Sequence, residues 1–223
     1  MQEAVIDINH LSKIYIMGEQ RLHALRDITL SINRNEYVAL MGPSGSGKST
    51  LLNVMSGLDK PSSGSVFFNG EDITKLSQKK LSLLRLKNFG FVFQMFHLVP
   101  TMTVYDNICL PVLMDGKTVD KSFFEKIVET FSIDKRLNHM PHQLSGGEQQ
   151  RVAIARAIIN KPTIVFADEP TGSLDTVNGE IVMGLFEKTN REDGTTVILV
   201  THDPGFAARA SRQIKLVDGR MAD

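Results

Sequence analysis

Gly42-Pro43-Ser44-Gly45-Ser46-Gly47-Lys48-Ser49 fills every position of the pattern G-x-x-x-x-G-K-[ST]. Its surroundings agree with it. Residues 37–41 before it form a short, nearly continuous apolar run, as in a strand buried on both faces of a parallel sheet. Residues 50–56 after it carry a helical pattern. Strand, glycine-rich loop and helix in that order make a phosphate cradle. The glycines let the backbone curl until several N–H groups converge on phosphate oxygens, and the helix adds the positive end of its dipole. Gly42, Pro43, Ser44, Gly45, Ser46, Gly47, Lys48, Ser49 and Thr50 are therefore expected to bind a nucleotide. Lys48 would place a point charge on the β- and γ-phosphates, and the Ser49 hydroxyl is a hard oxygen ligand for Mg²⁺. A chance flexible loop is the alternative, and the flanking strand and helix weigh against it.

A second apolar run, residues 163–167, leads into Asp168 and Glu169. Carboxylates at the C-terminal end of a parallel strand face the usual ligand crevice of an open α/β sheet. Asp168 suits the second sphere of Mg²⁺, through water. Glu169 is expected to orient and deprotonate an attacking water, lying either on the opposite face of an extended backbone or on a turn forced by Pro170. Alone, the pair could be a solvated acidic turn; beside a full phosphate loop the catalytic reading is the better one.

Leu144-Ser145-Gly146-Gly147-Glu148-Gln149-Gln150 opens a third feature. Ser145 and Glu148 have the S-x-x-E spacing of a capping box, and the glycines keep the first turn bare. A helix start with a hydroxyl and no side-chain cover is an anion receptor. Taken by itself a plain capped helix start is the better reading, since capping boxes are common.

Around these motifs, residues 5–8, 28–32, 65–68, 89–93, 196–200 and 213–217 also look like strands. Helical patterns run through 75–86, 121–131, 148–159 and 178–191 and resume after Pro204. Helices dominate from about Gln94 to Ile159. The expected fold is α/β: a P-loop NTPase with a mixed, largely parallel sheet core, an N-terminal antiparallel β region and an inserted helical subdomain. The whole of 1–223 reads as one domain, with 1–93 and 160–223 as the nucleotide-binding core and 94–159 as the helical part. The last strand runs close to Asp223, so no appended regulatory domain is expected.

Composition narrows the function. Of 223 residues, 42% are apolar and 22% charged, which suits a globular protein. Lys+Arg and Asp+Glu number 25 each, so bulk positive charge does not drive nucleic-acid binding. The one cysteine, Cys109, excludes an internal disulfide and a cysteine metal cage, and reads as a buried small apolar residue. No histidine pair has metal-ligand spacing with a third donor, so no zinc site is expected. The N-terminal residues carry Glu3 and Asp7 where a signal peptide has positive charge.

The phosphate loop, Leu144-Ser-Gly-Gly-Glu-Gln149, Ile164–Glu169, Ser173-Leu-Asp175 and His202 occur in one order with familiar spacings. Together they resemble the nucleotide-binding subunit of an ATP-binding-cassette (ABC) transporter, over essentially the whole chain. Asp168-Glu-Pro-Thr-Gly-Ser-Leu-Asp175 and Phe91-Val-Phe-Gln94 further resemble the macrolide-exporter and lipoprotein-releasing branch. The resemblance implies an ATPase using ATP and Mg²⁺, at work on the cytoplasmic face of the inner membrane. It also implies an ATP-dependent homodimer and a separate integral permease with an extracytoplasmic domain. Each ATP would lie between the phosphate loop of one copy and Ser145, Gly146, Gly147, Glu148 and Gln149 of the other. Gln94 would reach Mg²⁺ and the attacking water, Asp175 would sit at the dimer seam, and His202 would contact the γ-phosphate. Tyr15 matches the aromatic that stacks on adenine and is expected to do so, with a core residue among its apolar neighbours as the lesser alternative. Phe96, Leu98 and Met102 are expected to line a groove for the permease.

Other functions fit less well. A GTPase usually carries N/T-K-x-D, and Asn160-Lys-Pro-Thr163 has threonine where the carboxylate belongs. A small-molecule kinase would need an acceptor pocket and lid arginines, which nothing marks. An ATP-driven clamp on a non-transport partner usually has two cassettes or coiled-coil arms, and this chain has one cassette and no heptad run. The transported cargo is not written in the sequence.

Overall fold

In the computed structural model, which describes residues 3–222, the chain opens with a long hairpin, β1 (Ala4–Met17) and β2 (Gln20–Asn33). It continues through β3 (Tyr37–Met41), α1 (Lys48–Met55), β4 (Ser63–Phe68), β5 (Glu71–Asp72), α2 (Gln78–Asn88) and β6 (Phe89–Phe93). Three helices follow: α3 (Val104–Met114), α4 (Lys121–Thr130) and α5 (Gly146–Ile158). The remainder alternates: β7 (Ile164–Asp168), α6 (Thr176–Asp193), β8 (Thr196–Val200), α7 (Pro204–Ala207), β9 (Arg212–Val217) and β10 (Arg220–Ala222). The chain divides into two compact units, Met1–Arg85 with Thr196–Asp223, and Leu86–Thr195.

The first unit holds an antiparallel sheet in the order β2-β1-β4-β5 and a run of strands β10-β9-β3-β8. In that run β3 is paired in parallel with β8 on one side and β9 on the other, and β10 is antiparallel to β9. Every residue of β8, and every residue of β3 but Met41, is buried, which is why neither strand shows polar alternation. The alternating burial of β9 matches a strand with one solvated face. The hairpin runs well past the apolar runs at 5–8 and 28–32. Register shifts between Ile8 and Leu11 and between Leu11 and Lys13 break the alternation that would have revealed its length. At these irregularities His10 and Asp27 both take positive φ, and their side chains are 2.8 Å apart. The buried face of α1 (Leu51, Leu52, Val54, Met55) closes the hydrophobic interior of this unit, each such side chain contributing about 1.5–3 kcal/mol.

The second unit is built on the parallel pair β6–β7 and on α3 to α6. Phe91 stacks on Phe166 with centroids 5.7 Å apart, and Phe89 meets the same ring edge-on at 5.2 Å. α5 carries the buried run Val152-Ala-Ile-Ala155. Its close approach to β6 needs Gly90, where an added Cβ would lie 2.4 Å from the Ala157 carbonyl oxygen. Helix α3 was not resolved from its surroundings in the sequence, because Pro111 lies inside it and its apolar positions run on from β6. Its start is fixed by a capping box between Thr103 and Asp106. The fully buried Asn107 holds the preceding loop, accepting from Val99 N and donating to the carbonyls of Val99, Met102 and Thr103. Cys109 is buried as expected, and burial pushes its thiol pKa up. No helix among the described residues is long and apolar enough to cross a membrane.

Candidate active site

The phosphate loop connects β3 to α1, as its flanks foretold. Gly42 has φ 146° and its missing Cβ makes room for the Leu216 carbonyl, which an added Cβ would approach to 2.1 Å. Gly47, at φ 103°, occupies the N-cap of α1, so no side chain caps that helix. No acidic residue lies in its first turn. The uncapped N–H groups and the dipole together favour an anion here. Lys48 folds back over the loop, its ammonium donating to the carbonyls of Gly42 and Pro43 at 2.9 Å each. Ser49 and Thr50 lie in the first turn of α1.

His202 leaves the sheet at the same edge as this loop. Leu40 pairs with Val200, and Thr201 N donates to Leu40 O, so the chain beyond β8 emerges beside the chain beyond β3. His202 itself is exposed, while Asp203 is engaged as the cap of α7.

Tyr15 lies on β1, half-buried, with its hydroxyl donating to Asp59 Oδ2 at 2.8 Å. Lys13 donates to the other Asp59 oxygen at 2.7 Å and stands 4.8 Å from the Tyr15 ring centroid. Burial and the Asp59 hydrogen bond push the Tyr15 pKa up. Burial also raises Asp59, but hydrogen bonds from Lys13 and Tyr15 outweigh it and hold that carboxyl below its usual value. Lys13 and Asp59, which no sequence motif marks, thus fix the orientation of the ring.

In the second unit, the register of β6 with β7 sets Phe93 opposite Asp168. Gln94 and Glu169 are the residues that directly follow the two strands. Glu169 is not extended: its φ is 47°, so the turn before Pro170 is the arrangement adopted. A left-handed non-glycine residue of this kind is strained, and such strain concentrates at functional sites. The Gln94 side chain lies against the turn that follows, with an added Cβ at Gly172 only 3.0 Å from its Nε2. Ser173 Oγ donates to Gln94 O at 3.3 Å, and Gly172 N to Glu169 O at 3.0 Å.

The motif at Ser145 forms the capping box expected of it. Ser145 N and Oγ donate to Glu148 Oε2, at 2.8 and 2.9 Å, and Glu148 N returns to Ser145 Oγ. Arg136, on a short 3-10 turn, donates to the other Glu148 oxygen at 2.7 Å. The Arg136 hydrogen bond first, then the Ser145 amide, hold the Glu148 carboxyl down at about 2. Ser145 and Gly146 are exposed, as an anion receptor requires. Gly147 is not bare but buried, and an added Cβ there would lie 2.1 Å from Asn178 Oδ1. Gln149 donates to Leu144 O at 3.2 Å. Asn178 in turn binds Asp175 through both its amide N–H and its Nδ2, at 2.9 and 2.7 Å, while Arg151 donates to Asn178 Oδ1 at 3.3 Å. Asp175 is exposed and its carboxyl is held below its ordinary value by the Asn178 backbone. Arg136 and Asn178 were missed because neither belongs to a motif; they reach their partners only through tertiary packing.

No group of three or more His, Cys, Asp and Glu among the described residues could hold a metal by itself. The candidate ligands are instead a hydroxyl, an amide and a carboxylate. Such hard oxygens fit Mg²⁺, a cation that completes its shell with water and nucleotide phosphate rather than with a protein cage.

The sequence pattern of the ABC transporter family matches residues 25–172. The lipoprotein-releasing system ATP-binding protein LolD of Shewanella denitrificans is 43% identical over 220 residues, covering 98% of this chain and 94% of that one. The macrolide export ATP-binding/permease protein MacB of Rhodopirellula baltica is 44% identical, over 98% of this chain and 33% of that longer protein. Among solved structures, a dimeric post-hydrolysis state of an ATP-binding cassette, bound to ADP and Pi, superimposes with a TM-score of 0.89. It is 42% identical, over 98% of this chain and 97% of that one.

Proposed function

The chain belongs to the ABC transporter family as an ATP-binding, ATP-hydrolysing subunit, and on that premise we propose how its residues divide the work. Two copies pair head to tail around ATP. The loop Gly42–Ser49 of one copy holds the phosphates, Lys48 neutralises their charge, and Tyr15 carries the adenine. Ser145 of the other copy completes the γ-phosphate site, with Gly147 taking part only through its backbone N–H, because its Cα side is packed against Asn178. Glu169 orients and deprotonates the attacking water, and His202 keeps the γ-phosphate in its reactive geometry. Ser49 and Gln94, with Asp168 through water, hold Mg²⁺, which supplies charge neutralisation on the phosphate oxygens when bound. Asp175 lies at the seam between copies. Residues 1–223 act as a single ATPase domain.

One observation carries this reading. The chain has two glycine-bearing helix starts of different kind: at Gly47 no side chain caps the helix and Lys48 follows, whereas at Ser145-Gly146 the start is exposed, closed by its own capping box and without a lysine. Two half-sites of different kind on one chain are what a head-to-tail pair needs. The partner is an integral permease with an extracytoplasmic domain, met at the cytoplasmic face of the plasma membrane through a groove that includes Phe96, Leu98 and Met102. Support for that branch comes from the likeness to LolD and MacB. Nucleic acid is not a partner.

Complementation tests the shared site. Lys48→Ala and Ser145→Arg copies should each be inactive alone. Mixed, they should regain turnover, since a mixed pair has one intact loop facing one intact Ser145. No recovery on mixing, with both variants folded, would contradict the head-to-tail arrangement.

A further inference from the structure

Gln150 lies on α5, five residues beyond the Ser145 cap, and is fully buried. Its Nε2 donates to Pro170 O at 2.6 Å and to Phe93 O at 3.3 Å. Pro170 directly follows Glu169, and Phe93 directly precedes Gln94. A single amide group therefore ties the helix that begins at Ser145 to the backbone beside both residues.

The chemistry of the contact fixes its direction. Turned over, the amide would set its oxygen against two carbonyl oxygens, so the donor side must face them. The Gln150 Oε1 then has no hydrogen-bond partner among the described residues. A buried amide with an unspent acceptor is a poor way to fill space; leucine or methionine would do so without the desolvation penalty. What glutamine offers here, and they do not, is two donors at one point. The carbonyls it reaches are also the right ones to control. Proline has no N–H, so the Pro170 carbonyl is the backbone group of that residue through which the turn can be held. The turn needs holding, because Glu169 sits at φ 47° and such a conformation persists only where its surroundings over-determine it.

We propose that Gln150 is a positioning residue for hydrolysis: it sets the spacing of Gln94 and Glu169 and makes that spacing depend on where α5 lies. Contact between Ser145 and a phosphate would then be felt directly at the loop carrying the base. The proposal rests on the roles given above to Gln94 and Glu169.

The test uses the full chain with Gln150→Met, which keeps the volume and removes both donors, and Gln150→Asn, which keeps them on a shorter arm. Turnover, KM for ATP, thermal unfolding and amide exchange are measured for each, with Glu169→Gln alongside. In Gln150→Met we expect kcat to fall about tenfold or more while KM for ATP stays within about threefold. Exchange should quicken in residues 93–97 and 168–173, and Gln150→Asn should lie between. A kcat within about twofold of wild type in the Met variant overturns the proposal, as does a fall matched by an equal loss of folded protein in both variants. Normal turnover in Glu169→Gln would instead remove the base assignment, a result read independently of the Gln150 variants.

Discussion

Phe93 and Asp168 stand opposite each other in the parallel pair β6–β7. Because parallel strands point the same way, the residue after each leaves the sheet at the same end. Gln94 and Glu169 are those residues, so two short strands bring together an amide and a carboxylate that are 75 positions apart in sequence.

Glu169→Gln should slow turnover by about 10²–10⁴-fold, the range removed with a positioned general base. ATP binding should survive, since the phosphate loop is untouched. Lys48→Ala should do the reverse and weaken binding itself. Steady-state turnover beside equilibrium ATP binding separates the two, and near-normal turnover in Glu169→Gln would refute its assignment.

Tyr15→Ala should raise KM for ATP about fivefold with kcat little changed, the loss of one aromatic contact worth about 1 kcal/mol. Asp59→Ala should mimic part of that rise, because the phenol loses the carboxylate that orients it. An unchanged KM in both would return Tyr15 to the role of a core residue.

Glu148 titrates at about 2 in the folded chain against an ordinary 4.5. A lowered carboxyl pKa stabilises the fold above the ordinary value and loses that contribution as pH falls from 4.5 to about 2. Arg136→Ala removes the largest cause of the shift, so the variant has less of this stability to begin with above pH 4.5, and a smaller acid load should unfold it. Acid unfolding followed by circular dichroism should show the limb displaced upward; superimposable limbs would disprove the coupling.

Gly90→Ala should destabilise the protein by about 1–3 kcal/mol, because its Cβ would meet a backbone oxygen that cannot move without α5. Denaturant titration measures it. A change of a few tenths would show that α5 can shift cheaply.

Much of the fold was legible because local chemistry and tertiary role agreed. β3, β6 and β8 lie on the residues read as strands, since strands buried in a sheet announce themselves as apolar runs. The Ser145 cap was legible from spacing alone. What escaped was set by long-range contact. The bulged hairpin hid its length, and Pro111 hid α3. The Lys13–Asp59 clamp on Tyr15, Arg136 on Glu148 and Asn178 between Asp175 and Gly147 join residues that no local pattern connects. The turn at Glu169 was open in the sequence because a residue before proline usually favours extended backbone.

The shared site is tested most directly by turnover per copy as a function of protein concentration, with sedimentation in Mg²⁺ and ATP on the same samples. Turnover per copy should fall as dilution separates the pairs, and Glu169→Gln should sediment as a dimer only with ATP. Constant turnover per copy at dilutions where every molecule sediments alone would contradict the account.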